Sequence, residues 1–198
     1  PEDLWSWLEK TSAETNARFT AIPHNSNISK GYMFSGNSLR GKPFNKDYVA
    51  LRSKWERIAE ITQIKGDSET HSKFSPEDAF ADFEIYPYYI QRRWTEYNPQ
   101  RGDFVREALK QGLEMEANLG QNPYRLGVIG STDSHTALSS AEEDNFHGKL
   151  ATDSIPANKT SNFNDDGPGS SGWAMSASGM AAVWAKSNTR SNIMDALE

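Results

Sequence analysis

The chain has 198 residues, one domain's worth at about 150 residues per domain. Its 21 Lys and Arg against 27 Asp and Glu leave a formal charge of −6 and a pI near 5.3. No basic stripe of the kind that tracks a phosphate backbone is present, which excludes a nucleic-acid partner, and no run of 18 apolar residues supplies a membrane span.

A mean hydropathy of −0.75 predicts long polar loops, while 6 Trp, 7 Tyr and 9 Phe supply enough ring area for a core. Pro1 is read as a cut or processed end. There is no cysteine, so disulfides, thiolate zinc sites and a Cys nucleophile are all removed. Any transition-metal site must then be built from carboxylates and the four histidines, His24, His71, His135 and His147.

In chain order, Pro1-Glu2-Asp3 ahead of Leu4, Trp5, Trp7 and Leu8 predicts a helix running to about Asn16. Phe19 to Ile22 has the make-up of a short buried strand stopped by Pro23, and Asn25 to Gly31 that of a loop. Val49, Leu51, Trp55 and Ile58 approximate helical spacing behind Asp47 as a cap, and Ile61 to Ile64 is a second strand, followed by the polar run Lys65 to His71. Ser75-Pro76-Glu77-Asp78 predicts a helix start before an aromatic stretch, Phe80 to Tyr97, that takes no clear assignment.

A helix over Asp103 to Leu119 buries Val105, Ala108, Leu109 and Leu113 and ends at Gly120. Leu126 to Gly130 is a third strand that feeds into Ser131-Thr132-Asp133-Ser134-His135. Residues 136–176 form a long loop, Ala181 to Ala185 a fourth strand, and Thr189 to Glu198 a final helix. Trp5, Trp7, Trp55 and Trp184 are assigned to the core. Strands alternating with helices favour an α/β architecture with parallel pairing.

Three of the four histidines stand just past a strand, where α/β folds assemble their sites. Asp133-x-His135 brings a carboxylate and an imidazole within reach of one cation if the segment is extended. His24 and His71 occupy comparable places, and the bland readings are a hydrogen-bonded histidine at a strand end for His24 and an exposed loop residue for His71. His24, Asp133 and His135 rank above His71, which ranks above Glu60, read as a helix-end surface acid, and Glu69. His147 follows no strand and is read as structural or exposed. No nucleophile elbow or phosphate-binding glycine loop occurs.

The strings AIPHNSN (21–27), QIKGDSETH (63–71), GVIGSTDSHT (127–136) and SASGMAAVWAKSNTR (176–190) closely resemble a bacterial family of unknown function, DUF3604. That family is similar to the PHP (polymerase and histidinol phosphatase) metal-dependent phosphoesterases. The resemblance implies a distorted (β/α)7 barrel, with helices outside parallel strands whose ends hold divalent metals. By motif, His24 resembles the histidine ligand that follows a strand, Asp133 and His135 the final Asp-x-His pair, and His71 a fourth ligand.

PHP domains begin with a His-x-His motif, which this chain lacks. It is therefore expected to be a C-terminal-side part of a longer barrel, with an open sheet edge, a depleted site and little activity of its own. The implied function is metal-dependent hydrolysis of phosphate esters, using Zn, Mn or Fe on a small anionic substrate. Lys65 and Arg190 are candidate substrate contacts, although a surface role is the more economical reading of each. The alternatives are a carbohydrate- or protein-binding module using Tyr86 to Tyr97, and a hydrolase of another ester such as sulfate. Oligomeric state and compartment are left open.

Overall fold

A computed structural model describes residues 1–89, 95–136, 150–151, 155, 157, 179 and 181–198. The first helix, α1 (Glu2–Thr15), opens with Glu2 and Asp3 in its first turn and closes at Asn16, whose left-handed backbone donates to Ser12 O. Its Trp5 and Leu8 are buried with Trp55, and half-buried Phe19, Ala21, Tyr48 and Leu51 complete that cluster. Trp7 reaches only the rim of this cluster, its ring centroid 5.8 Å from that of Phe19. It points off the buried stripe and is 54% exposed.

Residues 19–22 are extended beside the sheet rather than a strand of it. Ala21 N–H donates to Trp55 O at 2.8 Å and Glu60 N–H to Pro23 O at 2.9 Å. Proline has no amide to carry the ladder further, and the chain turns through left-handed Asn25 into a 3₁₀ turn at Ser26–Ile28.

Helix α2 (Lys46–Trp55) is capped by Asn45 rather than Asp47; the Asn45 side chain accepts the Tyr48 amide at 2.8 Å. It ends at Trp55, so Ile58 opens β1 (Ile58–Gln63) instead of closing the helix. Strand β1 is central in a mixed sheet of order β2-β1-β3. Strand β2 (Gly66–Asp67) returns antiparallel, pairing Thr62 with Asp67 and Gln63 with Gly66. Strand β3 (Gly127–Gly130) is parallel, pairing Ile58 with Gly127 and Glu60 with Ile129, with an irregularity before Thr62 and Gly130.

Helix α3 (Val105–Leu119) follows a 3₁₀ turn at Arg101–Asp103 and ends at left-handed Gly120. No side chain caps it. The carbonyls of Ser68 and Glu69 accept the Val105 and Arg106 amides at 3.0 Å each, which docks the loop after β2 onto the helix start. Its buried residues are Val105, Glu107, Ala108, Gly112 and Met115. Val105, Ala108 and Met115 pack with Phe34, Phe44, Val49, Ala59 and Tyr124. Leu109 and Leu113 lie one position off this packed face, 40% and 65% exposed.

Helix α4 (Arg190–Leu197) is capped by Thr189, and Arg18 pairs with Asp195 at 2.7 Å and Glu198 at 2.8 Å.

Two further sequence expectations fail. After Ser75 the chain runs through hydrogen-bonded turns, not a helix. There the Asp78 carboxylate accepts the Phe80 amide at 2.9 Å and competes with helical bonding, and Phe80 and Phe83 are exposed, so no apolar face anchors a helix. Residues 181–185 form no strand and Trp184 is fully exposed, because an apolar run becomes a strand only with a neighbour to pair and a face to bury. Trp94, His147 and most of the 136–176 loop lie outside the described residues.

Candidate functional site

The parallel pairing of β1 and β3 places their C-terminal ends side by side, so the loops after them meet. Glu60 is the link. It is buried within β1, its Oε1 accepts the Asn25 amide at 3.2 Å, and its Oε2 accepts the Ser131 hydroxyl. Glu60 therefore ties the loop carrying His24 to the loop carrying Asp133 and is not a surface acid. A lone carboxylate inside the run Ile58-Ala59-Glu60-Ile61 was the available signal, since a strand that buries a charge must satisfy it.

Beyond β3, Thr132 is buried and Asp133 takes a left-handed backbone, φ 52°, a conformation Asp tolerates better than most residues. One carboxylate oxygen of Asp133 accepts the Lys65 ammonium, and the other lies 3.3 Å from His135 Nε2. Lys65 and Asp133 are largely buried, whereas His135 is 55% exposed. Lys65 is thus drawn into the site, against the surface reading, because Asn27 Nδ2 donates to Lys65 O at 2.7 Å and holds its backbone under the sheet end.

His24 is exposed on the loop that Asn25 ties to Glu60. His71 points elsewhere: it lines a cavity with Asp67, Tyr86 and Phe104, its ring centroid 5.7 Å from that of Phe104. Its Nδ1 accepts the Lys73 amide at 3.0 Å. Burial, followed by the Lys73 charge, lowers its pKa and favours the neutral ring. With Nδ1 accepting, the neutral ring carries its proton on Nε2.

The test of fit for a divalent metal is therefore partial. Asp133 and His135 form a carboxylate–imidazole pair, but among the described residues no three His, Asp or Glu side chains converge as a metal-holding group.

The residue patterns also left out Asp103. It is fully buried, its Oδ1 accepting the Ser29 hydroxyl and Gly31 amide, its Oδ2 the Tyr97 hydroxyl and Gln100 amide. Its signal was the Gln100-x-x-Asp103 capping box ahead of α3.

The architecture defines a protein with helices and a mixed sheet whose strand ends carry a polar centre of Glu60, Lys65, Asp133 and His135. The model of the family DUF3604, described as a protein of unknown function, matches residues 1–198, and the chain belongs to that family. Neither a curated protein nor a solved structure matches it. Among the described residues no helix is long and apolar enough to cross a membrane.

Proposed function

We propose that this chain carries the strand-end site of a metal-dependent hydrolase acting on phosphate esters, within a PHP-like barrel to which the parallel β1–β3 pair belongs. The observation that carries the reading is the Asp133 carboxylate, 3.3 Å from His135 Nε2 on one oxygen and paired with Lys65 on the other, at the C-terminal end of a parallel strand. Asp133 and His135 would hold the metal, and His24 would have to move in from the neighbouring loop to serve as a third donor. His71 joins only if its ring releases the Lys73 amide. A divalent cation held there would supply an acidified water and would neutralise charge on the ester.

Zn, Mn and Fe all suit the nitrogen and oxygen donors. The Lys65 ammonium offsets the Asp133 charge and stands where it can hold an anionic ester oxygen. Buried Glu60 keeps the two loops in register.

Metal titration by calorimetry tests this reading. Zn2+ or Mn2+ is expected to bind at micromolar levels, weakening by about tenfold or more in His135→Ala and in Asp133→Asn. A chain that takes up no divalent metal at those levels overturns the ligand assignment. Comparing 4-nitrophenyl phosphate with 4-nitrophenyl sulfate then separates phosphate from sulfate ester hydrolysis.

A further inference from the structure

The loop after β2, residues 85–87 and residues Glu96, Tyr97 and Pro99 line a separate cavity of about 310 Å³, at the small end of the range for ligand pockets. Gly66 makes its wall possible. At φ +93° a Cβ there would lie 2.6 Å from Glu84 O and 2.8 Å from Tyr86 N, so only glycine lets residues 84–86 lie against β2, where Asp67 N–H donates to Glu84 O at 3.0 Å. Buried Tyr97 and Phe104 and half-buried Tyr86 provide aromatic surface.

Several polar groups around this space are already committed. The Asn27 side chain bonds Lys65 O and the Ser68 hydroxyl, the Tyr97 hydroxyl bonds Asp103, and the Lys73 ammonium holds Asn98 Oδ1 at 3.2 Å and Pro99 O at 2.9 Å. Beside the exposed Glu96 carboxylate, a complementary pair remains among the described lining residues. Asp67 uses Oδ2 for the Glu69 and Thr70 amides, at 2.9 and 3.4 Å, which leaves Oδ1 as an acceptor. His71 has Nδ1 occupied by the Lys73 amide, which leaves Nε2–H as a donor.

We infer that this cavity is a binding subsite for one neutral sugar ring, whose hydroxyls donate to Asp67 and accept from His71 while an aliphatic face of the ring rests on the aromatic wall. A purely apolar occupant would desolvate Asp67 Oδ1 without giving it a donor. An anion would face Asp67 and Glu96, and a cationic amine would face Lys73 and the His71 N–H. A polyol matches an acceptor, a donor and aromatic faces together, and the volume suits a single ring. Burial raises the Asp67 carboxyl to about 6, a strain that a donated hydroxyl relieves. The inference requires no metal and stands apart from the hydrolase reading.

Saturation-transfer NMR and calorimetry on the intact chain, with glucose, galactose, mannose and N-acetylglucosamine, test it alongside methylamine and inorganic phosphate. At least one sugar is expected to bind, with affinity falling about tenfold in Tyr86→Ala and in Asp67→Ala while the circular dichroism of each variant stays native. His71→Phe, which keeps a ring but removes the donor, is expected to fall similarly and covers the case in which Asp67→Ala does not fold. Binding should survive chelation of divalent metal, whereas loss of sugar binding on chelation would place the ligand at the metal centre instead. The proposal is overturned if no sugar binds the folded wild type, if the folded variants bind as well as wild type, or if methylamine or phosphate outcompetes every sugar.

Discussion

Asp103 shows how much one side chain settles here. Its carboxylate takes four donors at 2.6–3.0 Å from Ser29, Gly31, Tyr97 and Gln100, so truncation strands them in a buried place. Asp103→Ala is expected to cost about 3 kcal/mol, read from urea unfolding. Asp67 has the opposite sign. Burial lifts its carboxyl from 3.8 to about 6, so in the unfolded chain it ionises first. Folded protein then holds more protons between those values, and stability present below 3.8 declines as pH rises to about 6. Thermal melts across that window should therefore show wild type losing stability with rising pH relative to Asp67→Asn, and parallel profiles would refute the assignment.

At the scale of elements, the helices were the most legible parts of the chain. Pro1 with acids marked the start of α1, Gly120 the end of α3, and Thr189 the start of α4, because helix ends depend on residues one turn away. The strands were less legible. Residues 19–22 and 181–185 have strand-like composition, yet the first only flanks the sheet and the second is not a strand, since pairing is decided by partners distant in sequence. The face of α3 came out rotated by one position because Gly112, rather than Leu109 or Leu113, meets the body: a Cβ there would lie 2.2 Å from Asn122 Oδ1. Gly66 is the sharpest test at this scale. Gly66→Ala combines a left-handed backbone with a wall contact and is expected to cost at least about 2 kcal/mol by chemical denaturation.

Across the whole molecule, buried Arg52 joins segments that local rules treat separately. It donates to Met33 O at 2.7 Å and to the Tyr124 hydroxyl at 3.2 Å, and its guanidinium lies 3.0 Å from Glu56 Oε2. Glu56 in turn accepts Trp5 Nε1 at 3.0 Å, bringing in α1. Arg52→Ala leaves Glu56 buried and unpaired and is expected to cost about 3–5 kcal/mol in chemical denaturation. The double variant Arg52→Met, Glu56→Gln, which removes both charges at similar volume, should recover much of that loss. Failure to recover any of it would mean that the packing of Arg52, not its charge, is what matters.

The sequence by itself determined helices α1 to α4, the glycine that ends α3, and the Asp-x-His pair that follows a short apolar strand. These depend on neighbours within a few residues. Only the tertiary structure decided that Glu60 is buried between two loops, that Lys65 meets Asp133 across the strand ends, and that His71 turns into a cavity that His135 does not line. The reason is physical: the fate of a polar side chain depends on which distant loops the sheet brings beside it. That follows from the parallel register of β1 and β3, set by strands more than sixty residues apart.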